Sequence, residues 1–481
     1  MSRAPDVFDV VPEEIATEGT VITRRAWRAL TVGCIGFSLM SFNTTAMNLA
    51  FDDIGDDFPG ASQATVSWVA SIFFIGLASL MLLSGGLADR LGRRRVFRLG
   101  LLTFAIGAVL SAIAPSVYVL IAARLIAAAG GALVVPSSLA VVLPEFPKDR
   151  HFTAVALWSA TGPVASAIAP ATSALVLAVS TWRVLLAISA PIALIALLLS
   201  YGSLRESKAG RAAARIDIAG VVLGSLAIAT LVFGVSQGAN LGWSSPLVIG
   251  AFVATMTLLP LFVVSCRRAA EPLLNLDIFM LRPVWVANLA NLLLNISGLG
   301  MWILWPLYME RVWGFSKVQI GLALLPGPLL GGVISAASAA LAQRVGEDRL
   351  LRWGSLVPVI ALGWPIVFLT EEPDYWLAAA PCIGLFGAGW AVIQPPLNNS
   401  VIRHVSQDYY GEVNAAFNTI RNVAGALGIA IAVAIVGDKD RIDVLAAYDR
   451  AYLALFIGGL LFITSLLVLF PRTPAAADEG G

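Results

Sequence analysis

Two arginines lie inside runs of sequence that are otherwise apolar, and they are the residues with the clearest capacity for chemistry. Arg124 falls within the run 117–143, and Arg421 within the run 411–437. Apolar runs of this length can span a membrane. A charged side chain inside such a span costs about 2.5–3.5 kcal/mol or more and usually marks a functional site. No Asp or Glu lies at comparable depth, so an unpaired base there would attract anions or hydrogen-bond acceptors and repel cations. The alternative is an arginine that backbone carbonyls satisfy and that serves packing alone.

Amide and aromatic side chains recur at helical spacing in the same kind of apolar run. Amides cannot face lipid cheaply, so these stripes should face protein or a cavity. Interhelical hydrogen bonding is one interpretation. The other is a substrate cavity, in which the two tryptophans would stack on an organic molecule. With the two arginines, the candidate cavity residues are Asn43, Asn48, Asn288, Asn291, Asn295, Trp302, Trp305, Gln394, Asn398 and Asn418.

A short segment between two apolar runs combines glycines, one carboxylate and a cluster of bases. Its glycines allow close helix packing and a tight turn. A carboxylate at a helix end can bind the positive N-terminus of a neighbouring helix. The segment therefore predicts a latch that holds in one conformation and opens in another, although a positive anchor for membrane topology is the simpler alternative. The latch residues are Gly85, Asp89, Arg90, Gly92 and Arg93.

The composition of the chain limits the classes of protein to which these residues can belong. Of the 481 residues, 58% are hydrophobic and 13% are charged, whereas soluble chains carry about 25% charged residues. A net charge of +1 gives no reason to expect nucleic-acid binding. Neither catalytic nor nucleotide-binding motifs occur, and the three cysteines have no metal-ligand spacing, so we expect neither an enzyme nor a metal or cofactor site.

Hydropathy predicts fourteen membrane spans of about 20 residues each. The densest basic loop, Arg90–Arg98, should be cytoplasmic, and the acidic loop 52–63 should lie outside, which places both termini in the cytoplasm. The predicted units are an N-terminal tail (1–26), a six-helix bundle (27–205), an inserted helix pair (206–270), a second six-helix bundle (271–471) and a C-terminal tail (472–481). The predicted spans are 27–51, 64–88, 96–115, 117–143, 153–179, 184–203, 216–236, 246–265, 284–308, 318–342, 350–369, 375–401, 411–437 and 452–470.

An internal repeat supports two equivalent bundles. The hexapeptide Leu87–Gly92 follows the second predicted span, and the similar hexapeptide Leu341–Gly346 follows the tenth. Each copy would then sit after the second helix of its own bundle, which is the arrangement of parallel repeats in transporters.

These motifs resemble the major facilitator superfamily, and in particular its fourteen-span drug:proton antiporter branch. Residues 85–95 resemble the loop between helices 2 and 3 of that superfamily, 43–50 its first-helix pattern, 181–183 the Ser-Trp-Arg before helix 6, and 411–428 its helix 13. The family usually has an acid where this chain has Asn43, and Gln-Gly where it has Ala127 and Ala128. The resemblance implies an all-α membrane fold of six, two and six helices, with substrate binding near the midplane between bundles.

The resemblance also implies a function. We expect a bacterial cell-membrane transporter, monomeric in the bilayer, that exports small amphipathic organic compounds by alternating access, with proton antiport as the coupling. The alternatives are an exporter of one endogenous metabolite or lipid, and a membrane sensor or scaffold that does not transport. Asn43 cannot ionise, so the proton-coupling candidates are Asp89, Glu145, Glu310 and Glu412, and neutral or anionic substrates should be preferred over cations.

Overall fold

The computed structural model describes residues 22–47, 50–61, 63–206, 217–269, 272, 274–406, 409–436 and 444–470, and within these ranges every regular element is helical. Long apolar runs produce this result because a helix satisfies its own backbone hydrogen bonds within one segment.

The first bundle comprises eight helices. α5 is central, since it packs on α1, α3 and α4, and α8 packs on α1 and α4. α7 and α8 together form one continuous helical stretch, 182–203. The helices are α1 (Arg24–Ala46), α2 (Phe51–Asp57), α3 (Gln63–Leu91), α4 (Arg93–Ala112), α5 (Val117–Val142), α6 (His151–Val179), α7 (Trp182–Ala187) and α8 (Ser189–Ser203), with 3₁₀ turns at Leu143–Glu145 and Lys148–Arg150.

A pair of antiparallel helices follows, α9 (Ile218–Leu241) and α10 (Pro246–Arg268). α10 packs on α9, and α9 packs on both α3 and α18. The rings of Trp68 and Phe233 stack at 5.5 Å between centroids, which joins α3 to α9. The pair therefore lies beside the seam where the two bundles meet.

The second bundle repeats the plan of the first. α12 packs on α17, α18 and α19, and α14 packs on α17. Its helices, with the short α11 that precedes them, are α11 (Leu276–Met280), α12 (Arg282–Arg311), α13 (Lys317–Leu324), α14 (Pro326–Val345), α15 (Glu347–Gly354), α16 (Leu356–Phe368), α17 (Ala380–Ile402), α18 (Tyr410–Val436) and α19 (Val444–Thr464), with π-helical turns at Tyr375–Ala379 and Ser465–Leu469.

Ten helices in the described part of the chain are long and apolar enough to cross a membrane, and two shorter apolar stretches, 68–81 and 319–335, accompany them. Three predicted boundaries are wrong by five residues or more. The seventh predicted span ended at residue 236, but α9 continues to Leu241. The first predicted span continued to residue 51, but α1 ends at Ala46. The last was predicted to begin at 452, but α19 begins at Val444, because Asp449 and Arg450 lower the hydropathy of its first turns without interrupting the helix.

The helices define two ends of the molecule with different charge. At the end where α1 begins and α3 ends lie Arg24, Arg28 and the bases that start α4; we call this the basic end. The opposite end carries the acidic helix α2. The repeated hexapeptides both finish at the basic end, on Gly92 (φ +108°) and Gly346 (φ +85°). A positive φ favours glycine, so each copy uses its last glycine to turn sharply into the next helix.

The bundles are closed against each other at the basic end. Ser335 Oγ donates to the carbonyl of Ala156 at 3.0 Å, and Asn414 Nδ2 donates to the carbonyl of Pro136 at 3.1 Å. An apolar cluster of Phe152, Ala156, Ala342 and Leu350 fills the space beside them.

Candidate functional site

Two of the residues predicted to line a substrate cavity, Asn418 and Arg421, lie on α18 at the seam between the bundles. α18 crosses this seam and packs on α3, α5 and α9 as well as on its own bundle. Arg421 lies eleven residues into α18, about 16 Å from its start. Amides precede it by one and two turns, at Asn418 and Asn414, because residues three and four apart share one face of a helix.

Arg421 is the least satisfied base in this region. Its side chain is half-buried, and its guanidinium lies 5.7 Å from the ring centroid of Phe37 on α1. Among the described residues it makes no hydrogen bond and no ion pair. A guanidinium has five donor hydrogens and cannot lose its charge in a protein. Arg421 therefore presents free donors and a positive charge at the boundary between the bundles.

Phe37 and Trp158 form an aromatic pair beneath Arg421. Their rings stack at 4.1 Å with an interplanar angle of 25°. Trp158 is fixed by a hydrogen bond from its Nε1 to Ser138 Oγ at 3.0 Å. Gly162 faces the edge of Phe37, where a Cβ would come within 2.6 Å of the ring. The two rings therefore form a rigid apolar contact for the Arg421 guanidinium. The sequence analysis missed both rings, since isolated aromatics in apolar runs carry no distinguishing pattern.

Arg124 is held very differently. It is 2% exposed. Its Nη1 donates to Asn43 Oδ1 at 2.8 Å, its Nε donates to the carbonyl of Val69 at 3.4 Å, and its guanidinium lies 4.3 Å from the ring centroid of Phe73. No acid contacts Arg124 among the described residues, but its Nε and Nη1 are hydrogen-bonded within the first bundle.

Asn43 completes this buried network. While its Oδ1 accepts from Arg124, its Nδ2 donates to Ser189 Oγ on α8 at 3.3 Å. A neutral amide can do both, whereas an ionised carboxylate only accepts. Asn43 thus links α1, α5 and α8 inside the first bundle. The other first-helix candidate, Asn48, lies outside the described residues.

The amide stripe of α12 bonds partly to a neighbouring helix and partly within α12. Asn291 Nδ2 donates to the carbonyl of Phe417 on α18 at 2.9 Å. Within α12, Asn295 Nδ2 donates to Asn291 Oδ1 at 2.9 Å, and Asn288 Nδ2 donates to the carbonyl of Val284 at 3.0 Å. The geometry of Asn291 therefore corresponds to the interhelical alternative, whereas Asn288 and Asn295 bond within their own helix.

Four further amide atoms are buried and have no hydrogen-bond partner within the described part of the chain. They belong to residues of α12, α17 and α18, which pack together. Buried polar groups are normally hydrogen-bonded, so these atoms have capacity to bind water or a ligand. They are Asn288 Oδ1, Gln394 Nε2, Asn398 Oδ1 and Asn418 Oδ1.

The two candidate tryptophans do not act alike. Trp305 is fully buried, its Nε1 donates to Cys382 Sγ at 3.4 Å, and its ring packs 5.6 Å from that of Tyr452. It has no free face for a substrate to stack on, so the prediction of a stacking surface is wrong for Trp305. Trp302 is half-buried and reaches Gly327 of α14.

Only part of the predicted latch falls within the residues that the structure describes. The side chains of Gly85, Asp89 and Arg90 lie outside the described residues. Arg93 is 3% exposed, and its guanidinium lies 5.9 Å from the ring centroid of Tyr410, which begins α18. The ring of His151 meets the same tyrosine edge-on at 6.4 Å. Tyr410 of the second bundle is therefore inserted between two residues of the first, a contact that the sequence did not reveal.

The remaining carboxylates proposed for proton coupling lie near helix ends. Glu145 pairs with Arg25, at 3.3 Å between Oε2 and Nε, and accepts from the backbone N–H of Arg205. Glu412 is 4% exposed and accepts from the backbone N–H of Asn275. Glu310 is exposed. Glu145 and Glu412 thus join α1 to the end of α8, and α18 to the segment before α11.

Comparison with known proteins agrees with this architecture. Residues 33–429 match the Major Facilitator Superfamily, and the chain belongs to that family of membrane transporters. It is 27% identical to the methylenomycin A resistance protein of Streptomyces coelicolor over 90% of each chain. It is 29% identical to the puromycin resistance protein pur8 of Streptomyces alboniger, over 100% of this chain and 98% of that one. It is 28% identical to the cephamycin export protein CmcT of Amycolatopsis lactamdurans over 96% and 95%.

Solved structures share the fold at low identity. The human organic anion transporter MFSD10 matches with a TM-score of 0.65 at 18% identity, over 92% of this chain and 99% of that one. The proton:xylose symporter XylE matches with a TM-score of 0.67 at 15% identity, over 94% and 97%. The all-helical major facilitator fold is therefore confirmed.

Proposed function

We propose that this protein is a secondary active exporter of amphipathic organic compounds, and that Arg421 is its principal substrate-contacting residue. The observation that carries the proposal is the half-buried, hydrogen-bond-free guanidinium at mid-depth in the seam, above the stacked rings of Phe37 and Trp158. The names of the relatives, which are resistance and export proteins for three antibiotics, support export as the direction.

The charge of the site supports a preference for neutral or anionic compounds. Arg421 offers donors to carboxylates, carbonyls or sulfonates, and its uncompensated charge disfavours a cation in a medium of low dielectric. Phe37 and Trp158 are 6% and 1% exposed while the bundles are closed, and the proposal is that their rings meet the apolar part of the substrate when the bundles separate. Arg124 does not share this role, because it is 2% exposed and its Nε and Nη1 already donate within the first bundle.

Fourteen spans, in groups of six, two and six, are part of the proposal. Besides the ten apolar helices, α1, α3, α6 and the combined α13 and α14 span 23, 29, 29 and 29 residues, long enough to cross a core of about 30 Å. The fourteen-span drug:proton antiporter branch, a bacterial inner-membrane location and a monomeric state belong to the same proposal.

The excess of bases at one end supports an orientation with that end, and both termini, in the cytoplasm. The closed basic end then corresponds to a conformation closed toward the cytoplasm. Reporter fusions at residues 60, 210 and 480 should read outside, inside and inside. A cytoplasmic signal at residue 60 would reverse the orientation.

Proton antiport is the proposed coupling, with Asp89, Glu145, Glu310 and Glu412 as the candidate carboxylates. Protonation of such a carboxylate removes the charge that holds its contact, as at Arg25–Glu145 within the first bundle, and the proposal is that this local release is coupled to the opening between bundles.

The test of function is transport by the purified protein in proteoliposomes. Efflux of matched anionic, neutral and cationic fluorescent amphiphiles is measured with and without an imposed proton gradient. Export of the anionic and neutral compounds that a proton gradient accelerates supports the proposal. Strong export of the cation in preference to the anion would refute the role of Arg421, and absence of flux for every compound would refute multidrug export.

A further inference from the structure

A groove of about 610 Å³ runs along the flank of the first bundle, apart from the seam. It lies between α1, α6 and α8. On α1 it begins at Trp27 and ends at Phe42, a rise of about 22 Å at 1.5 Å per residue. One leaflet contributes about 15 Å of the roughly 30 Å apolar core, so the groove is long enough for one extended acyl chain.

The walls of the groove suit a hydrocarbon chain better than a polar molecule. Its hydroxyls already donate to backbone carbonyls: Thr31 to Trp27 at 3.0 Å, Ser38 to Thr161 at 3.4 Å and Thr161 to Trp158 at 2.7 Å. The rest of the lining is mainly aliphatic and aromatic, and Ile192 on α8 is exposed at its outer rim.

The mouth of the groove is positively charged. Arg24 and Arg28 are exposed, and residues 24, 28, 31 and 35 share one face of α1 because they are three or four positions apart. Thr31 and Ile35 line the groove. Arg24 and Arg28 therefore lie directly above it, at the basic end, and among the described residues neither makes an ion pair.

Two neighbours define the depth and the net charge of this mouth. Trp27 is 46% exposed and packs edge-on against Phe146, as expected for an aromatic side chain at the membrane–water interface. Arg25 is neutralised by Glu145. The charge left over belongs to Arg24 and Arg28, within one turn of the interface level.

We propose that this groove binds one anionic phospholipid of the leaflet at the basic end, with an acyl chain between α1, α6 and α8 and the phosphate between Arg24 and Arg28. A basic cluster beside a membrane helix attracts anionic headgroups, and the apolar groove below it selects a lipid over a soluble phosphate. This site is independent of the substrate site at Arg421, because the groove opens on the flank of the first bundle.

The experiment measures retention of phosphatidylglycerol and of zwitterionic phosphatidylethanolamine on the delipidated full-length protein by native mass spectrometry. The wild type should retain one phosphatidylglycerol in preference to phosphatidylethanolamine. In Arg24→Gln/Arg28→Gln, affinity for phosphatidylglycerol should fall about 25-fold, since each arginine near an anionic headgroup contributes roughly fivefold. The matched control is Arg267→Gln/Arg268→Gln, which removes two exposed bases from the end of α10 and should leave this affinity unchanged.

The position of the chain is tested at Cys34, which lines the groove and is half-buried, whereas Cys266 and Cys382 are 4% and 0% exposed. Phosphatidylglycerol should slow alkylation of Cys34 by N-ethylmaleimide at least fivefold in the correctly folded wild type, so this readout depends on no substitution. Equal affinity in both double variants would overturn the headgroup site, and unprotected Cys34 would overturn the acyl-chain site. Protection of Cys34 by a transported compound but not by phosphatidylglycerol would also overturn the proposal, because the groove would then be a substrate path.

Discussion

Arg124 and Arg421 lie in corresponding surroundings of the sequence, each a single base in an apolar helix, yet the structure treats them in opposite ways. Arg124 is 2% exposed and donates to an amide and a carbonyl inside one bundle. Arg421 is half-buried at the seam between bundles and contacts only an aromatic ring among the described residues. A buried charge can be structural when its hydrogen bonds and its packing lie within one bundle. An intramembrane base becomes a candidate ligand site when its donors face a boundary that opens.

The comparison also explains why a neutral residue is suitable at position 43. Arg124 needs an acceptor, and Ser189 is available on the other side of the same amide. An asparagine bridges the two with one side chain and adds no charge to the first bundle. Among the described residues, Arg421 is then the intramembrane arginine at the seam whose guanidinium makes no hydrogen bond.

The largest effect is expected for Arg421→Gln. Export of anionic amphiphiles should fall about 10- to 100-fold, the usual contribution of a hydrogen bond to a charged group, while export of neutral analogues changes less than threefold. Arg421→Lys should retain the anion preference with reduced rate, because it keeps the charge without the planar fork. Initial rates in proteoliposomes at matched protein density measure both. A parallel loss for neutral and anionic compounds would mean that Arg421 is structural, and the contrast with Arg124 would disappear.

Arg124→Gln should act on stability instead. The substitution shortens the side chain and leaves Asn43 Oδ1 and the carbonyl of Val69 without their donor, at a cost of about 1–3 kcal/mol for a buried unpaired group. We expect a lower melting temperature in detergent and lower abundance in the membrane, with unchanged anion-to-neutral selectivity in the protein that remains. A selectivity change at normal stability would place Arg124 in the substrate path.

Sequence reasoning was most successful where a pattern is local. Hydropathy and basic loops located most helices, and the repeated hexapeptides indicated the two glycine turns at residues 92 and 346. Helical spacing showed which amides share a face. It could not show which way that face points, so Trp305 was assigned to a cavity although it lies in an aromatic core with Tyr308 and Tyr452.

Contacts between bundles were beyond the sequence for a physical reason. Phe37 and Arg421 are brought together by the packing of α1 near α18, and Tyr410 meets Arg93 and His151 only because the basic end is closed. Neither contact leaves a local spacing signal. The partners of Arg124 are equally remote in sequence, and they decide whether its charge is free or satisfied.

Asn43→Asp sharpens the comparison by giving Arg124 an acid. The carboxylate would accept from Arg124 at the place where Asn43 Oδ1 does now, 2.8 Å away. Since Arg124 is already buried, an added counter-charge should raise the melting temperature by about 1–3 °C. Anion selectivity should persist because Arg421 is untouched. New export of lipophilic cations by this variant would show that substrates reach the Asn43–Arg124 pair.

Tyr410→Ala tests whether the boundary that exposes Arg421 is governed from the basic end. Loss of the ring between Arg93 and His151 should favour opening at that end and reduce turnover about two- to tenfold. Tyr410→Phe should remain near wild type, because both contacts involve the ring. Asp89→Asn, from the predicted latch, should likewise impair turnover at near-normal abundance. Wild-type turnover in Tyr410→Ala would remove the tyrosine from the gate.

The smallest effect is expected at a third arginine, Arg183. Unlike Arg124 and Arg421, it pairs with an acid, and it lies near water. The Asp57 carboxylate accepts from Trp182 Nε1 at 2.8 Å and pairs with Arg183. The Trp182 hydrogen bond, followed by Arg183, holds the pKa of Asp57 below its ordinary value. Since the folded pKa is the lower one, the contact stabilises fully above the unfolded pKa of about 3.9 and is lost as pH falls through the folded value.

Both side chains are more than a third exposed, so Asp57→Asn should lower the melting temperature by only about 1–2 °C at pH 7. The difference from wild type should shrink below about pH 4 in fluorescence-detected melting. A loss as large as that of Arg124→Gln would mean that an acid partner matters more than burial, contrary to the distinction drawn between Arg124 and Arg421.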